Sequence, residues 1–504
     1  MSALHLANGE AAPLASVPVL DTGSFRAAVI RAVSQGARIA SFFGYQPGPR
    51  TGEVRLVSVL ARDGALDIQA CELGDTYPSL TPECPEAHLF EREVAEQWGV
   101  VPLGHPWLKP VRAHSSYVQG REAWPARSDA PIDPPVTGFF AMSGEEGHEV
   151  AVGPVHAGVI EPGHFRFLCH GETVFHLEIL LGYQHRGIER QLVGGPHPRT
   201  VFQVETAAGD TTVAHAWAYS KAMEALAGRA APERAVAERA IALELERLAN
   251  HIIDLGALAG DVGFLPTLNY CGRLRGDALN TTTGICGSRM GRGWVRPGGV
   301  AFDLDDRLAD AARRAVAGFL RDATSAVDLL WDTPSVMARF EGTGVVSEQT
   351  ARALGLVGVA ARASGLRRDA RVEFASPPYG GFAPDTAEAG DVHARARVRW
   401  LEIQKSCGLI AGWLDALPSG PVMSDGPASN LAADSIAVSL VEGWRGEVCH
   451  TAITGPDGKF LRYKIVDPSF HNWQGLAMAL RDQAISDFPL CNKSFNLSYC
   501  GHDL

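Results

Sequence analysis

The sequence predicts an α+β protein: a small N-terminal α/β domain over residues 1–120, a linker over 121–150, and a mainly α-helical domain with small β-sheets over 151–504. Three observations predict it. Helix-like and strand-like patterns alternate between residues 25 and 73. A Pro-, Gly- and Ser-rich tract, PARSDAPIDPPVTG, then interrupts all periodicity. Beyond residue 185 long amphipathic helices dominate.

In the first domain, FRAAVIRAVSQGARIA (25–40) is helix-like, EVRLVSVLAR (53–62) is strand-like and LDIQACEL (66–73) adds a second strand. From 151 to about 185 the pattern is strand-like and punctuated by glycine. In ERAIALELERLANHIIDLGAL, Ile241, Leu245, Leu248, Ile252 and Leu255 recur at alternating spacings of four and three, the stripe of a helix packed on other helices. Residues 305–332 and 391–417 repeat that pattern. Residues 432–469 predict a three-stranded sheet with a GPDG turn, placed before a last helix, NWQGLAMALRDQAI.

Composition excludes several classes of function. A net charge of -12 without a Lys/Arg stripe argues against nucleic-acid binding. The most apolar stretches carry charges and fall short of a membrane-spanning length. The first residues lack a basic region followed by an apolar core, so no export is expected. Nine scattered cysteines without a Cys-x-x-Cys predict reduced thiols in a cytoplasmic protein.

Some stretches carry possible chemistry. PVHAGVIEPGHFRF places His156 and His164 on either side of a Gly/Pro turn, and GYQHRGIER adds Tyr183, His185, Arg186 and Glu189. These residues could line a polar pocket, or His185, Arg186 and Glu189 could form a local hydrogen-bonded network at a strand-to-helix junction. Cys286, flanked by glycines, reads as a packed thiol rather than a ligand. Near the end, NLSYCGHDL holds Cys500 and His502, donors of the right type for a metal but too few without partners.

Five segments, read in order, resemble one family. GYQHRGIER (182–190), LELERLANHIIDLGALAGDVGF (243–264), SRMGRGWVRPGGV (288–300), GTGVVSEQTARALGLVGVAARASGLRRDAR (342–371) and DPSFHNWQGL (467–476) are similar to the 49-kDa subunit of respiratory complex I and to the large subunit of membrane-bound, group 4 nickel-iron hydrogenases. HLFEREVAEQWGVVPLGHPWLKPVR (88–112) is similar to the complex I 30-kDa subunit, so the fusion resembles formate hydrogenlyase-type large subunits.

The resemblance implies a site at two turns. The family's four nickel-iron thiolates fall here on Ala208, Thr211, Ser498 and Gly501, with Cys500 one place off. None of those four side chains supplies the soft anionic donor that such a centre needs, so no metal is expected to be held by this chain. The quinone tyrosine of complex I falls on Gly209, and its cluster-facing histidine on Gly291, with Arg292 following as in hydrogenases. Arg289, Arg296, Gly298, Gly299, Arg247, Asn250, His251 and Asp261 fall on positions that look architectural, the arginines pairing buried carboxylates and the glycines permitting tight turns.

The expectation that follows is a peripheral large subunit on the cytoplasmic face of the inner membrane. It binds no cofactor of its own, with quinone a possible acceptor and an iron-sulfur cluster on a partner. Implied partners are an iron-sulfur small subunit, a ferredoxin-like subunit and antiporter-like membrane subunits. The acceptor cavity is expected at Gly209, Asp210, Thr211, Ser498, Cys500 and His502, with His156, His164 or His215 as proton donors. His185, Arg186, Arg289 and Arg292 are expected to face the partner's cluster. The alternative is a subunit without redox chemistry that couples or scaffolds the complex.

Overall fold

The computed structural model describes residues 3–48, 53–124, 138–142, 144, 147–374, 377–425 and 430–504. The expected linker lies partly outside the described residues, at 125–137, 143, 145 and 146.

The N-terminal unit contains β1 (Leu4–Leu6), β2 (Ala11–Pro13), β3 (Val19–Leu20), α1 (Thr22–Ser34), β4 (Arg38–Tyr45), β5 (Val54–Arg62) and β6 (Ala65–Leu73). It continues with β7 (Thr76–Pro78), α2 (His88–Trp98) and β8 (Val101–Leu103). Strands β1, β6, β5 and β4 form a sheet in that order, with β3 also pairing β6. Helix α1 is N-capped by Asp21, which accepts from Ser24 N at 2.9 Å. The helix-like stretch 25–40 does not run to its end: α1 stops at Ser34, Gly36 takes φ of +98°, and β4 begins at Arg38. A left-handed backbone ends the helix, as Gly allows at low cost.

Every residue of β4 is buried, so this strand shows no alternation of polar and apolar residues. The sheet shares one core with the second unit: Phe42, Phe43 and Phe90 pack in the same cluster as Val438, Cys449 and Phe470.

The second unit opens with a sheet of β9 (Gly147–Val152), β10 (His164–His170) and β11 (Thr173–Leu180), ordered β11-β10-β9. Then come α3 (Ile188–Leu192), α4 (Thr200–Val204), α5 (Thr212–Ala227), α6 (Glu233–Asp261) and α7 (Leu265–Cys286). The hairpin β12 (Val295–Arg296) and β13 (Gly299–Val300) precedes α8 (Asp306–Trp331), α9 (Pro334–Phe340), α10 (Glu348–Ala353), α11 (Gly358–Ala363), α12 (Ala370–Glu373) and α13 (Val392–Asp415). The predicted stripe from Ile241 to Leu255 is buried on α6, which packs against α7 and α13.

Strands β14 (Ser435–Gly443), β15 (Gly446–Thr454) and β16 (Phe460–Val466) form an antiparallel sheet, and β2 of the N-terminal unit adds to its β14 edge, with Ile436 opposite Ala12. Helix α14 (Pro468–Ala479) follows, N-capped by Asp467. It ends six residues before the predicted helix does, and it is not the last: α15 (Phe488–Phe495) and α16 (Tyr499–Asp503) fold after it.

Among the expected architectural residues, Arg247 is fully buried and donates to Glu244 at 2.9 Å and to the Glu442 carbonyl at 2.6 Å. His251 Nε2 lies 2.7 Å from Glu402. Arg296 reaches Glu205 at 3.9 Å. Arg289 departs from the expectation: it is exposed and makes no ion pair among the described residues.

Candidate functional site

Two turns meet at the centre of the second unit. The first, residues 208–211, leads into α5: Thr211 N donates to the Ala208 carbonyl at 3.0 Å and Thr212 Oγ1 to the Gly209 carbonyl at 3.1 Å. The first N–H groups of α5, which have no partner within the helix, are met by Glu246 of α6, which accepts from Val213 N at 2.7 Å. Burial pushes the Glu246 carboxyl up to about 8 even so.

The second turn carries the start of α16. Ser498 Oγ accepts from Gly501 N at 2.8 Å and lies 3.4 Å from Cys500 Sγ. The Glu161 charge and the Gly209 backbone both act on Cys500 Sγ, so the two turns and the loop before β10 come close together around this thiol. Burial, then the Glu161 charge, pushes the thiol up to about 11, which keeps it protonated near neutral pH. Arg445, at the β14–β15 turn, stitches the turns together: it pairs with Asp210 at 2.6 and 2.8 Å and donates to the Asn496 carbonyl at 2.5 Å.

Behind the turns runs a buried chain of polar side chains. Asp467 Oδ2 lies 3.2 Å from His215 Nε2, His215 Nδ1 lies 3.0 Å from His450 Nε2, and His450 Nδ1 lies 2.9 Å from Tyr463 OH. Burial, reinforced by His215, holds His450 well below its ordinary value, so it is neutral. Burial alone would push Asp467 up, but its hydrogen bond with His215 and the nearby Arg445 charge hold it below 3.8. A Cβ at Gly501 would sit 2.6 Å from the Asp467 carboxyl carbon, so this close approach is open to glycine alone.

The other expected residues fall around this centre. His156 Nε2 meets the Gly163 carbonyl at 2.8 Å and His164 Nδ1 the Gly153 carbonyl at 3.3 Å, so both rings brace their own loop while Glu161 between them reaches Cys500. His502 does not join Cys500: it is buried, bonds Asp503 at 2.9 Å and stacks on Phe470. His185 Nδ1 lies 2.8 Å from the Asp503 carbonyl and its ring stacks on His114 at 4.7 Å. Arg186 donates to the carbonyls of Ala207 at 3.0 Å and Cys500 at 2.9 Å, bridging the turns from outside. Glu189 instead faces inward to Arg462 and Lys464, at 2.8 and 2.9 Å. The three side chains therefore do not bond one another; apart from the Arg186 bond to the Gln184 carbonyl, these partners are distant in sequence. Arg292 is exposed, and its Nη2 lies 4.0 Å from where a Cβ at Gly209 would be.

Sequence reasoning missed Glu161, Arg445, His450 and Asp467. For two of them a signal was present in GWRGEVCH, where Arg445 sits in the turn between two fully buried strands and His450 lies within the second.

Among the described residues no cluster of three or more His, Cys, Asp or Glu side chains is arranged to hold a metal ion. The two turns offer one thiol, three hydroxyls and the Asp210 carboxylate, which Arg445 occupies, and Gly501 has no room for a side chain, so this donor set does not fit a nickel-iron centre held by four thiolates.

Comparison with known proteins agrees with this architecture. The family described as Respiratory-chain NADH dehydrogenase, 49 Kd subunit, matches residues 261–439, and that described as Respiratory-chain NADH dehydrogenase, 30 Kd subunit, matches residues 34–136. Formate hydrogenlyase subunit 5 of Escherichia coli (strain K12) is 31% identical over 84% of this chain and 76% of its own length. The carbon monoxide-induced hydrogenase of Rhodospirillum rubrum is 32% identical over 69% of this chain and 97% of its own length. A chain from the structure of the membrane-bound sulfane sulfur reductase (MBS), an archaeal respiratory membrane complex, shares the fold, with a TM-score of 0.67 and 23% identity over 71% of this chain and 99% of that one.

Fold and site together define a large subunit of the complex I type, with both modules on one polypeptide. The chain belongs to the family of complex I 49-kDa subunits and membrane-bound hydrogenase large subunits, fused to a 30-kDa-subunit domain.

Proposed function

We propose that this chain is the large peripheral subunit of a membrane-bound, complex I-like oxidoreductase that works without a nickel-iron centre. Electrons would arrive from a cluster on an iron-sulfur small subunit and pass to a quinone or another organic acceptor at the two turns, coupled to ion translocation by antiporter-like membrane subunits. A ferredoxin-like subunit would supply the electrons, and the complex would lie on the cytoplasmic face of the inner membrane. No helix among the described residues is long and apolar enough to cross a membrane, which fits a peripheral place.

The observation that carries this reading is the convergence of a polar, proton-bearing network on turns that offer one thiol where a nickel-iron centre takes four. A quinone, when bound, supplies two-electron, two-proton reduction chemistry. The chain supplies the rest: Glu161 and the protonated Cys500 stand at the junction, and Arg292 offers positive charge beside Gly209. Asp467, His215, His450 and Tyr463 form a hydrogen-bonded line able to move a proton behind the site. The surface around the site supports a docked partner: Val155 and Val159 are 74% and 86% exposed, with Ile160, Tyr183 and Phe202 also outside.

The test is to purify the intact complex from its native membrane and count nickel and iron per copy of this chain. Iron without nickel, together with quinone reduction that falls at least tenfold in Glu161→Gln, is the expected result. Near-stoichiometric nickel overturns the reading.

A second reading, a coupling subunit without redox chemistry, is favoured by the burial of Thr211, Ser498 and His502 within the expected cavity. Absence of both metals from the complex would select it.

A further inference from the structure

A cavity farther along α5 from the first turn is roofed by residues 9–11. Ala7 N donates to Glu10 Oε2 at 2.9 Å, closing a turn over residues 7–10. Asn8 clamps that turn to β14, donating to the Leu440 carbonyl at 2.9 Å and accepting from Leu440 N at 2.8 Å. Gly9 takes φ of +82°, and a Cβ there would sit 2.3 Å from Lys221 Cε, so the lysine stem lies directly against its backbone.

Lys221, on α5, lines a cavity of about 1010 Å3 together with Trp217, Val236, Pro378 and Trp413. That volume is at the upper end of the roughly 300–1,000 Å3 of small-molecule pockets. Trp413 is fixed by an edge contact with Tyr379 at 5.1 Å, and Tyr379 OH donates to Glu244 at 2.7 Å. The apolar wall at Trp413 is therefore held in place, while Glu10, Glu224, Arg229, Glu233 and Arg239 add charged groups to the lining.

The lysine is the unexplained part. The nearest acid on its own helix, Glu224, is committed to Arg239 at 2.6 and 3.2 Å and to Gly298 N at 2.7 Å. Among the described residues Lys221 makes no hydrogen bond or ion pair. Burial pushes its amine down to about 8. An ammonium drawn out of water without an acceptor is unfavourable, and a bound anion would relieve it. One free ammonium suits a singly charged head better than a phosphate, which needs several donors. Arg239 is saturated by Glu224 and the Gly299 carbonyl, and Arg229 at the rim is bonded to the Asp425 carbonyl.

We propose that this cavity binds an amphiphilic carboxylate, its anionic head on Lys221 and its unbranched apolar body along Trp217 and Trp413. Isothermal titration of the full chain with dodecanoate tests it. The expected result is saturable binding at one site, weakened at least tenfold in Lys221→Met and retained in Lys221→Arg, with Lys221→Met melting no lower than the wild type. A parallel titration with dodecyltrimethylammonium, and flotation with phosphatidylglycerol vesicles, separates this ligand from a cation and from a lipid headgroup. No saturable binding of dodecanoate, equal binding by Lys221→Met, equal binding of the cation, or binding to vesicles alone would each overturn the proposal.

Discussion

His450 Nε2 lies 3.0 Å from His215 Nδ1, and when both rings are neutral the donors can run in one direction along the line around this pair. Tyr463 O–H donates to His450 Nδ1, His450 Nε2–H donates to His215 Nδ1, and His215 Nε2–H donates to Asp467. Each donor then points the same way, toward the carboxylate that abuts Gly501.

Asp467→Asn removes the charged end of that line. Both Asp467 and His215 are fully buried, and a hydrogen bond to a charged group contributes about 1.5–3 kcal/mol, so the variant should be less stable by that amount at pH 7. The Asp467 carboxyl is depressed in the folded state, so its contribution is complete above its ordinary 3.8 and lost as the pH falls through the lower folded value. Urea unfolding should show the two proteins converging only in strong acid. A difference that disappears near pH 7 would contradict this.

Glu246 has the opposite sign. Its folded value of about 8 exceeds its ordinary 4.5, so between those values the folded chain holds a proton that the unfolded chain releases, and stability falls as the pH rises. Glu246→Gln keeps an acceptor for Val213 N and should flatten that part of the stability profile. The unfolding midpoint of the wild type minus that of the variant should drift downward from pH 5 to 8.

Gly501 tests the packing at the second turn. An added Cβ falls 2.6 Å from the Asp467 carboxyl carbon, so Gly501→Ala forces the carboxylate away and should cost about 1–3 kcal/mol. Gly501→Cys should be no better tolerated. A melting temperature unchanged in either variant would show that Asp467 can move aside.

Arg445→Met removes the stitch between the turns. Asp210 retains 32% exposure, so water recovers part of the lost pairing and the expected loss is about 1–3 kcal/mol. Arg445→Lys keeps the charge but cannot pair Asp210 with two nitrogens and also reach Asn496, so it should fall between wild type and Arg445→Met. Thermal unfolding orders the three.

What was legible in the sequence follows physical range. The stripe from Ile241 to Leu255 and the hairpin strands after 435 are local patterns, and the chain realises them. Strand β4 was hidden because ARIASFFGY is buried throughout, between α2 and β16, and so shows no period of two. The line from Asp467 to Tyr463 joins residues as far as 252 apart, and no local pattern announces such pairing. Glu161 stood in plain sight between His156 and His164, but only the course of the loop shows that the carboxylate, and not either ring, turns toward Cys500. The positions of Ala208, Thr211, Ser498 and Gly501 came from resemblance; the fold brings their two turns side by side.

The pairing of β2 with β14, and of Asn8 with Leu440, has a consequence for biosynthesis. Asn8 and Leu440 lie 432 residues apart and the strand partners nearly as far, and at ordinary translation speeds roughly 20–90 s separate their emergence from the ribosome. The leading segment must wait for these partners while the residues between them are made, and the sheet of β14 to β16 gains its β2 edge only when that segment is still available. Vectorial folding, module by module, cannot finish this molecule; its two modules mature as one.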